Sequence, residues 1–248
     1  MCVGCKLSGS CSTKGVTKCQ PIIAKKTIPQ KLKEYLLSTD HKVIAIQYLI
    51  TGLVMAVLGG CMAYVFRMQL AFPGENVPGF GWVSPGNYNA LVTNHGTIMI
   101  FWVAMPVLVA AAGNYLIPLM IGCDDMVFPR LNRLSFQLFF ISALVLLASF
   151  HVPGGGFGGA WTSYPPLSSK EEYSLTPLGA PIWLMAVALE FVAFLIGGIN
   201  FVTTMMNARA PGMSLTRIPL VVWMIVIASI LFMVSVGPLV AGSIMLLS

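Results

Sequence analysis

A histidine, a glutamate and a set of cysteines are the side chains of this sequence whose types could do chemistry in apolar surroundings. His95 lies in the run NHGTIMIF, next to Gly96. A neutral imidazole is a strong ligand for iron, and a neighbouring glycine lets a flat macrocycle approach the backbone. The other reading open to a histidine in such a run is a hydrogen-bonded packing residue. Glu190 sits in an unbroken apolar stretch. A buried carboxylate costs several kcal/mol unless neutralised or paired, which makes an acid there a functional candidate. It reads either as a proton carrier or as a protonated residue hydrogen-bonded to a partner subunit. Cys2 and Cys5 form a C-x2-C pair, followed at wider spacing by Cys11 and Cys19. Four thiolates can hold zinc tetrahedrally, but structural sites usually offer two close pairs. Reduced free thiols on a reducing face are the competing reading.

The elements that carry these residues are set by hydropathy. The chain is 57% hydrophobic and 9% charged, with a mean hydropathy of +0.84, far from the roughly 25% charged residues of a soluble domain. Water is not its solvent. A hydrocarbon layer of about 30 Å needs about 20 apolar residues per helical crossing. Five stretches meet that need: Val43 to Tyr64, His95 to Ile121, Leu134 to Phe150, Ile182 to Met206, and Pro219 to Leu247. None alternates as a barrel strand would, so the fold class is all-α, a polytopic bundle of five transmembrane helices over residues 41–248.

Residues 1–40 are different, being polar, basic and cysteine-bearing, with a short helix expected near Pro29 to Leu37. They contain no apolar run long enough for a cleavable signal peptide. Lys and Arg are retained on the cytoplasmic or matrix side. Twelve of the fourteen fall before the first span, between spans two and three, or between spans four and five; only Arg67 and Lys170 lie opposite. The N-terminus is therefore expected inside and the C-terminus outside. Anionic lipid accounts for the net charge of +6, and no basic fold signature points to nucleic acid. Cys61 and Cys123 fall on opposite sides and cannot pair. Two long Pro- and Gly-rich segments, Phe72 to Tyr88 and His151 to Gly179, are expected to cover something at the outer surface.

Eight runs are family-like: STDHK (Ser38–Lys42), RMQLAFPG (Arg67–Gly74), HGTIMIF (His95–Phe101), GNYLIPLMIG (Gly113–Gly122), DMVFPRLN (Asp125–Asn132), WTSYPPLSS (Trp161–Ser169), GGINFVTT (Gly197–Thr204) and RAPGMSL (Arg209–Leu215). In order and spacing they resemble subunit I of the haem-copper oxidases, the cytochrome c oxidase type in particular, over helices one to five. The resemblance implies that His95 is an axial ligand of a low-spin haem of the a type. It implies that Arg67 contacts a substituent of that haem, and that Trp161, Tyr164 and Pro165 lie over its propionates. Snorkelling and interfacial packing are the plainer readings of Arg67 and the aromatics. On the inner side the resemblance makes Asp125 the acid at a proton entrance and Asn114, Asn132 and Asn200 the amides that order its water. Capping or interhelical hydrogen bonding is the plainer reading of the amides. Asp124 reads as a solvated loop charge.

Departures from the pattern bear on function too. Where the family carries serines about a turn before its GGINF-like run, this chain has Ala193 and Phe194, and Glu190 stands where the family has a small residue. The family's second axial histidine, its high-spin haem ligand and its three copper ligands come from later helices, whereas this chain has only His41, His95 and His151. His41 and His151 are expected at the surface. The resemblance thus implies a partner chain carrying helices six onward with the copper and the high-spin haem, in a mitochondrial inner or bacterial cytoplasmic membrane and beside other respiratory-complex subunits and lipid. The competing reading is a non-catalytic, oxidase-derived scaffold subunit. A transporter is disfavoured, since no broken helices recur in repeated halves.

Overall fold

Apolar length and well-placed caps produce the expected helices. The computed structural model describes residues 28–160, 162–166 and 178–247. The chain divides at Leu36/Leu37 into two units, and the first contributes α1 (Ile28–Leu37), the short helix expected near Pro29. The second unit holds five helices long and apolar enough to cross a membrane. These are α2 (His41–Ala71), α3 (Pro85–Ile121), α4 (Pro129–Ala148), α5 (Gly179–Asn207) and α6 (Leu220–Leu247). No strand occurs among the described residues, only a lone bridge between Val77 and Gly81.

Local chemistry sets the boundaries. Asp40 caps α2, its carboxylate accepting from Lys42 N at 2.7 Å and Val43 N at 3.3 Å. Ser84 caps α3 by accepting from Asn87 N at 3.2 Å, and Pro85 follows at the first helical position. This start lies ten residues before the His95 expected from hydropathy, because Asn87, Asn89 and Asn94 dilute the apolar signal without interrupting the backbone ladder. Gly122, at φ +74°, ends the helix in the left-handed region and turns the chain towards Asp125.

Helix α3 is not uniform. Over Ile98–Ala104 and Pro106–Ala111 it winds in the wider π form, with Met105 N bonding Ile100 O and Ala112 N bonding Val107 O. Pro106 has no N–H to give the α ladder. The wider turns change the phase between His95 before them and Asn114 after them.

Small residues let the helices approach closely, as expected in a bilayer where burial does not itself drive association. A Cβ on Gly52 would stand 2.7 Å from Val107 Cγ2, and one on Gly113 would stand 2.9 Å from Phe201 Cζ. Helix α5 packs along α4 and α6. The largest fully buried side chains include Trp102, Tyr48, Phe139, Phe157 and Glu190.

Candidate functional site

The bundle carries chemistry at both ends and once in its interior. At one end, His95 is fixed by a backbone carbonyl. Gly59 has no side chain, and a Cβ there would come within 2.9 Å of Met99 Sδ, so α3 lies close on α2. At that approach His95 Nδ1 stands 2.9 Å from Gly59 O. A carbonyl only accepts, so Nδ1 carries the proton and Nε2 keeps its lone pair, the arrangement that orients an imidazole as a metal ligand. The edge of Phe66 meets the ring at 5.4 Å. Beside it, a Cβ on Gly96 would touch nothing within 4 Å. The face next to the ligand is open, which fits a flat macrocycle.

The glycine-rich loop is stapled to this end. Asn94 Nδ2 donates to Ala90 O at 2.8 Å and to Phe157 O at 2.9 Å, and Ala160 N donates to Thr93 Oγ1 at 3.1 Å. Ala160 and Ser163 hold positive φ, at 58° and 49°, a conformation unusual for side-chain-bearing residues. Tyr164 is 72% exposed. Arg67 is exposed on α2, next in sequence to the Phe66 that touches His95. Trp161, together with Cys2, Cys5, Cys11 and Cys19, lies outside the described residues.

At the opposite end the expected acid and amides come together. Asp125 is half-buried, its carboxylate accepting from Met126 N at 2.7 Å, while Asp124 is exposed as expected. Helix α5 clamps the segment that bears it, because Asn200 Oδ1 accepts from Phe128 N at 3.1 Å and Thr204 Oγ1 from Val127 N at 3.2 Å. Asn132 Nδ2 donates to Asn114 Oδ1 between α4 and α3, both residues fully enclosed, and the Asn132 carbonyl oxygen has no partner. Asn200 is thus a loop clamp, and Asn114 with Asn132 an interhelical pair one step inward of Asp125.

His41 corrects an expectation. It is 2% exposed rather than on the surface, because α2 begins against α3 and its Nδ1–H donates to Asn114 O at 2.9 Å. His151 is exposed, as expected. Among the described residues, no three His, Cys, Asp or Glu side chains converge to hold a metal ion.

Inward of the amide pair is a cavity of about 210 Å³, lined in part by Tyr48, Asn114, Ser135, Phe194 and Ser229. The Tyr48 hydroxyl bonds Ser135 Oγ at 2.7 Å, and Ser135 donates to Ala193 O at 2.9 Å. Where α5 lacks hydroxyls, α2 and α4 supply them. Tyr48, Ser135 and Ser142 escaped the sequence reading because aromatic and small polar residues are common in helices. Only the facing of α2 and α4 distinguishes these. Glu190 is 1% exposed within this chain alone, which leaves it no surface for a partner subunit.

Comparison with known proteins covers the five-helix part of the chain. The family described as Cytochrome C and Quinol oxidase polypeptide I matches residues 43–248. An alternative cytochrome c oxidase subunit 1 of Bradyrhizobium diazoefficiens is 38% identical over 213 residues, covering 86% of this chain and 35% of the relative. The cytochrome c oxidase subunit 1 of Thermostichus vulcanus is 42% identical, covering 85% of this chain and 36% of the relative. That of Synechocystis sp. is also 42% identical, covering 84% and 36%. The chain therefore spans about a third of the length of the curated relatives it matches.

Proposed function

Because the chain belongs to the Cytochrome C and Quinol oxidase polypeptide I family, it is an integral protein of a bacterial or mitochondrial membrane, and we propose that it forms the first five helices of a haem-copper oxidase subunit I. In this reading His95 would be a ligand of a low-spin haem of the a type, and Asp125 would admit protons for oxygen reduction. The observation that carries it is the His95 Nδ1 contact with Gly59 O at 2.9 Å beside the open face at Gly96. A packing histidine needs a partner, but not a free Nε2 next to an open face.

Each residue then has a task. Gly59 fixes the tautomer and orientation of His95. Arg67 would contact a substituent of the haem, Trp161 and Tyr164 would lie over its propionates, and the loop stapled by Asn94 would cover that end. The haem supplies one-electron chemistry when bound. Asp125 collects protons at the end of the bundle where the basic residues gather. Asn114 and Asn132, being neutral amides, order water without trapping charge, and Asn200 holds the Asp125 segment in place. The described geometry commits His41 to Asn114 O and leaves His151 exposed. The remaining haem and copper ligands would then come from helices six onward of the family pattern.

The test is a gentle purification of the complex, identification of every chain in it, and reduced-minus-oxidised spectra. His95→Ala is expected to abolish the low-spin haem band. Asp125→Asn is expected to leave that band intact while slowing proton uptake about a hundred-fold. An unchanged spectrum in His95→Ala would refute haem ligation here. A complex in which no polypeptide supplies the later histidines would leave the scaffold reading instead.

A further inference from the structure

We propose that Glu190 is the interior proton acceptor of this bundle, a carboxyl that takes up and releases a proton by turning the hydroxyl of Ser142. The inference rests on the reading of Asp125 as a proton entrance and extends it inward, to a helix where the family resemblance expects a small residue.

The hydrogen count at Ser142 is the starting point. Its Oγ has a single proton and three close neighbours: Trp102 Nε1 at 3.1 Å, Phe139 O at 2.6 Å and Glu190 Oε2 at 2.9 Å. The indole N–H can only donate and the backbone carbonyl can only accept. When Glu190 is neutral, its O–H donates to Ser142 and Ser142 donates to Phe139 O. When Glu190 is ionised, Ser142 turns its proton to the carboxylate, and the Trp102 N–H, still donating to Ser142 Oγ, strengthens that bond. The Phe139 carbonyl loses only a supplementary bond. Both charge states therefore keep a partner at the carboxyl oxygen that faces Ser142, and a turn of the carboxyl about Cγ–Cδ, with one hydroxyl rotation, separates them.

The second carboxyl oxygen is the point of exchange. Oε1 is enclosed and has no hydrogen-bond partner. An enclosed, unpartnered oxygen on a 1% exposed acid is costly in a merely structural residue. It is what a proton-accepting group requires, because the arriving donor must find a vacant lone pair.

A route leads towards it from Asp125. Asn114, which accepts from Asn132, lines the mostly apolar cavity of about 210 Å³, where waters would be held by the few polar groups of its wall. Its polar wall includes the Tyr48 and Ser135 hydroxyls, bonded at 2.7 Å. Ser135 reaches Ala193 O, about one turn beyond Glu190 on α5. Tyr48 also packs at 5.0 Å on Phe139, whose carbonyl serves Ser142. The wide-turned segment of α3 contributes Trp102 to the same cluster, which places an irregular stretch of helix at a working position. Among the described residues no Lys or Arg bonds Glu190, so no ion pair there locks its charge.

The step balances simply. One proton taken from the inner aqueous phase at Asp125 passes by way of the cavity and the Ser135 side of α5 to Oε1 of the Glu190 carboxylate and makes the neutral acid; the carboxyl turns about Cγ–Cδ to point that O–H at Ser142, and Ser142 turns back to Phe139 O. The same proton then leaves for an oxygen anion formed as dioxygen is reduced, and Glu190 returns to the carboxylate. No bond of the chain other than O–H changes.

The test uses the purified full complex. A redox-induced infrared difference spectrum is expected to show a protonated-carboxyl C=O band that disappears in Glu190→Gln and shifts in Ser142→Ala, because Ser142 is its hydrogen-bond partner. Glu190→Gln is also expected to slow proton uptake about a hundred-fold with the low-spin haem spectrum unchanged, and Glu190→Asp to restore part of the rate. If Glu190→Gln keeps wild-type uptake while Asp125→Asn slows it, Glu190 is structural and this inference alone fails. If neither variant slows uptake, the proton-entrance reading itself fails. Should Glu190→Gln not assemble, Ser142→Ala decides: a band unmoved by loss of that hydroxyl overturns the proposal.

Discussion

With Nδ1 of His95 committed to the Gly59 carbonyl, the reactivity of the ring is confined to Nε2, and a backbone atom rather than a conspicuous side chain does the confining. That is why the histidine stood out in the sequence and its support did not. A histidine in an apolar run stands out by type, whereas any residue has a carbonyl. Asp125, in a loop, was singled out by the family resemblance rather than by its surroundings, and His41 was expected at the surface because burial depends on where α2 begins against α3. Cys123, outside the spans, gives a measurable consequence. Burial chiefly pushes its thiol above the ordinary range, the Asp125 and Asp124 charges add to the effect, and its own backbone hydrogen bond opposes it. Only the thiolate attacks alkylating reagents. In a variant whose other cysteines are serine, iodoacetamide should modify Cys123 more slowly than a free thiol at pH 8, with the rate still climbing above the usual thiol pKa of about 8.5. Asp125→Asn removes one raising charge, so its rate profile should move to lower pH; a shift the other way would contradict the assigned cause.

Helices were the most legible scale, because length and hydropathy alone select them, yet two of their features were hidden. The start of α3 depends on Ser84 and Pro85 rather than on apolar character, and the wide turns around Pro106 depend on how α3 meets its neighbours. The glycines at helix contacts were visible as letters but not as contacts, and they separate into two groups that mutation can tell apart. A Cβ on Gly113 would meet Phe201 Cζ at 2.9 Å and Ile225 Cγ2 at 3.2 Å, and the Phe201 ring is itself buried. Gly113→Ala should therefore cost about 1–3 kcal/mol. At Gly60 an added Cβ meets nothing within 4 Å, so Gly60→Ala should be neutral or stabilising by up to about 1 kcal/mol. Thermal unfolding in detergent, followed by circular dichroism, compares the two. Equal effects would mean that the close α3–α5 approach does not limit stability.

At the scale of the whole molecule, the two ends of the bundle have separate tasks, and the direction of proton movement depends on which end faces inside. The Asp125 end gathers Arg133, bonded to Ser38 O at 2.7 Å, and Arg209, bonded to Met205 O at 3.0 Å. The His95 end carries the glycine-rich loop and Arg67. Retention of Lys and Arg on the cytoplasmic or matrix side is the reason we propose that the Asp125 end lies inside. Charge asymmetry was legible without any structure, because orientation is fixed at insertion by loop charge. The interior path we propose from Asn132 to Glu190 was not, because it would be assembled from residues far apart in the chain. Single cysteines introduced at Asn76 and at Ser214, both exposed and at opposite ends of the bundle, test the orientation in an otherwise cysteine-free chain. In intact cells or mitoplasts, a membrane-impermeant maleimide should label Asn76→Cys at once and Ser214→Cys only after permeabilisation. The reverse pattern would put Asp125 outside. An acid there would face the phase from which this reading draws no protons, so reversed labelling would remove the entrance and, with it, the source of the proton assigned to Glu190.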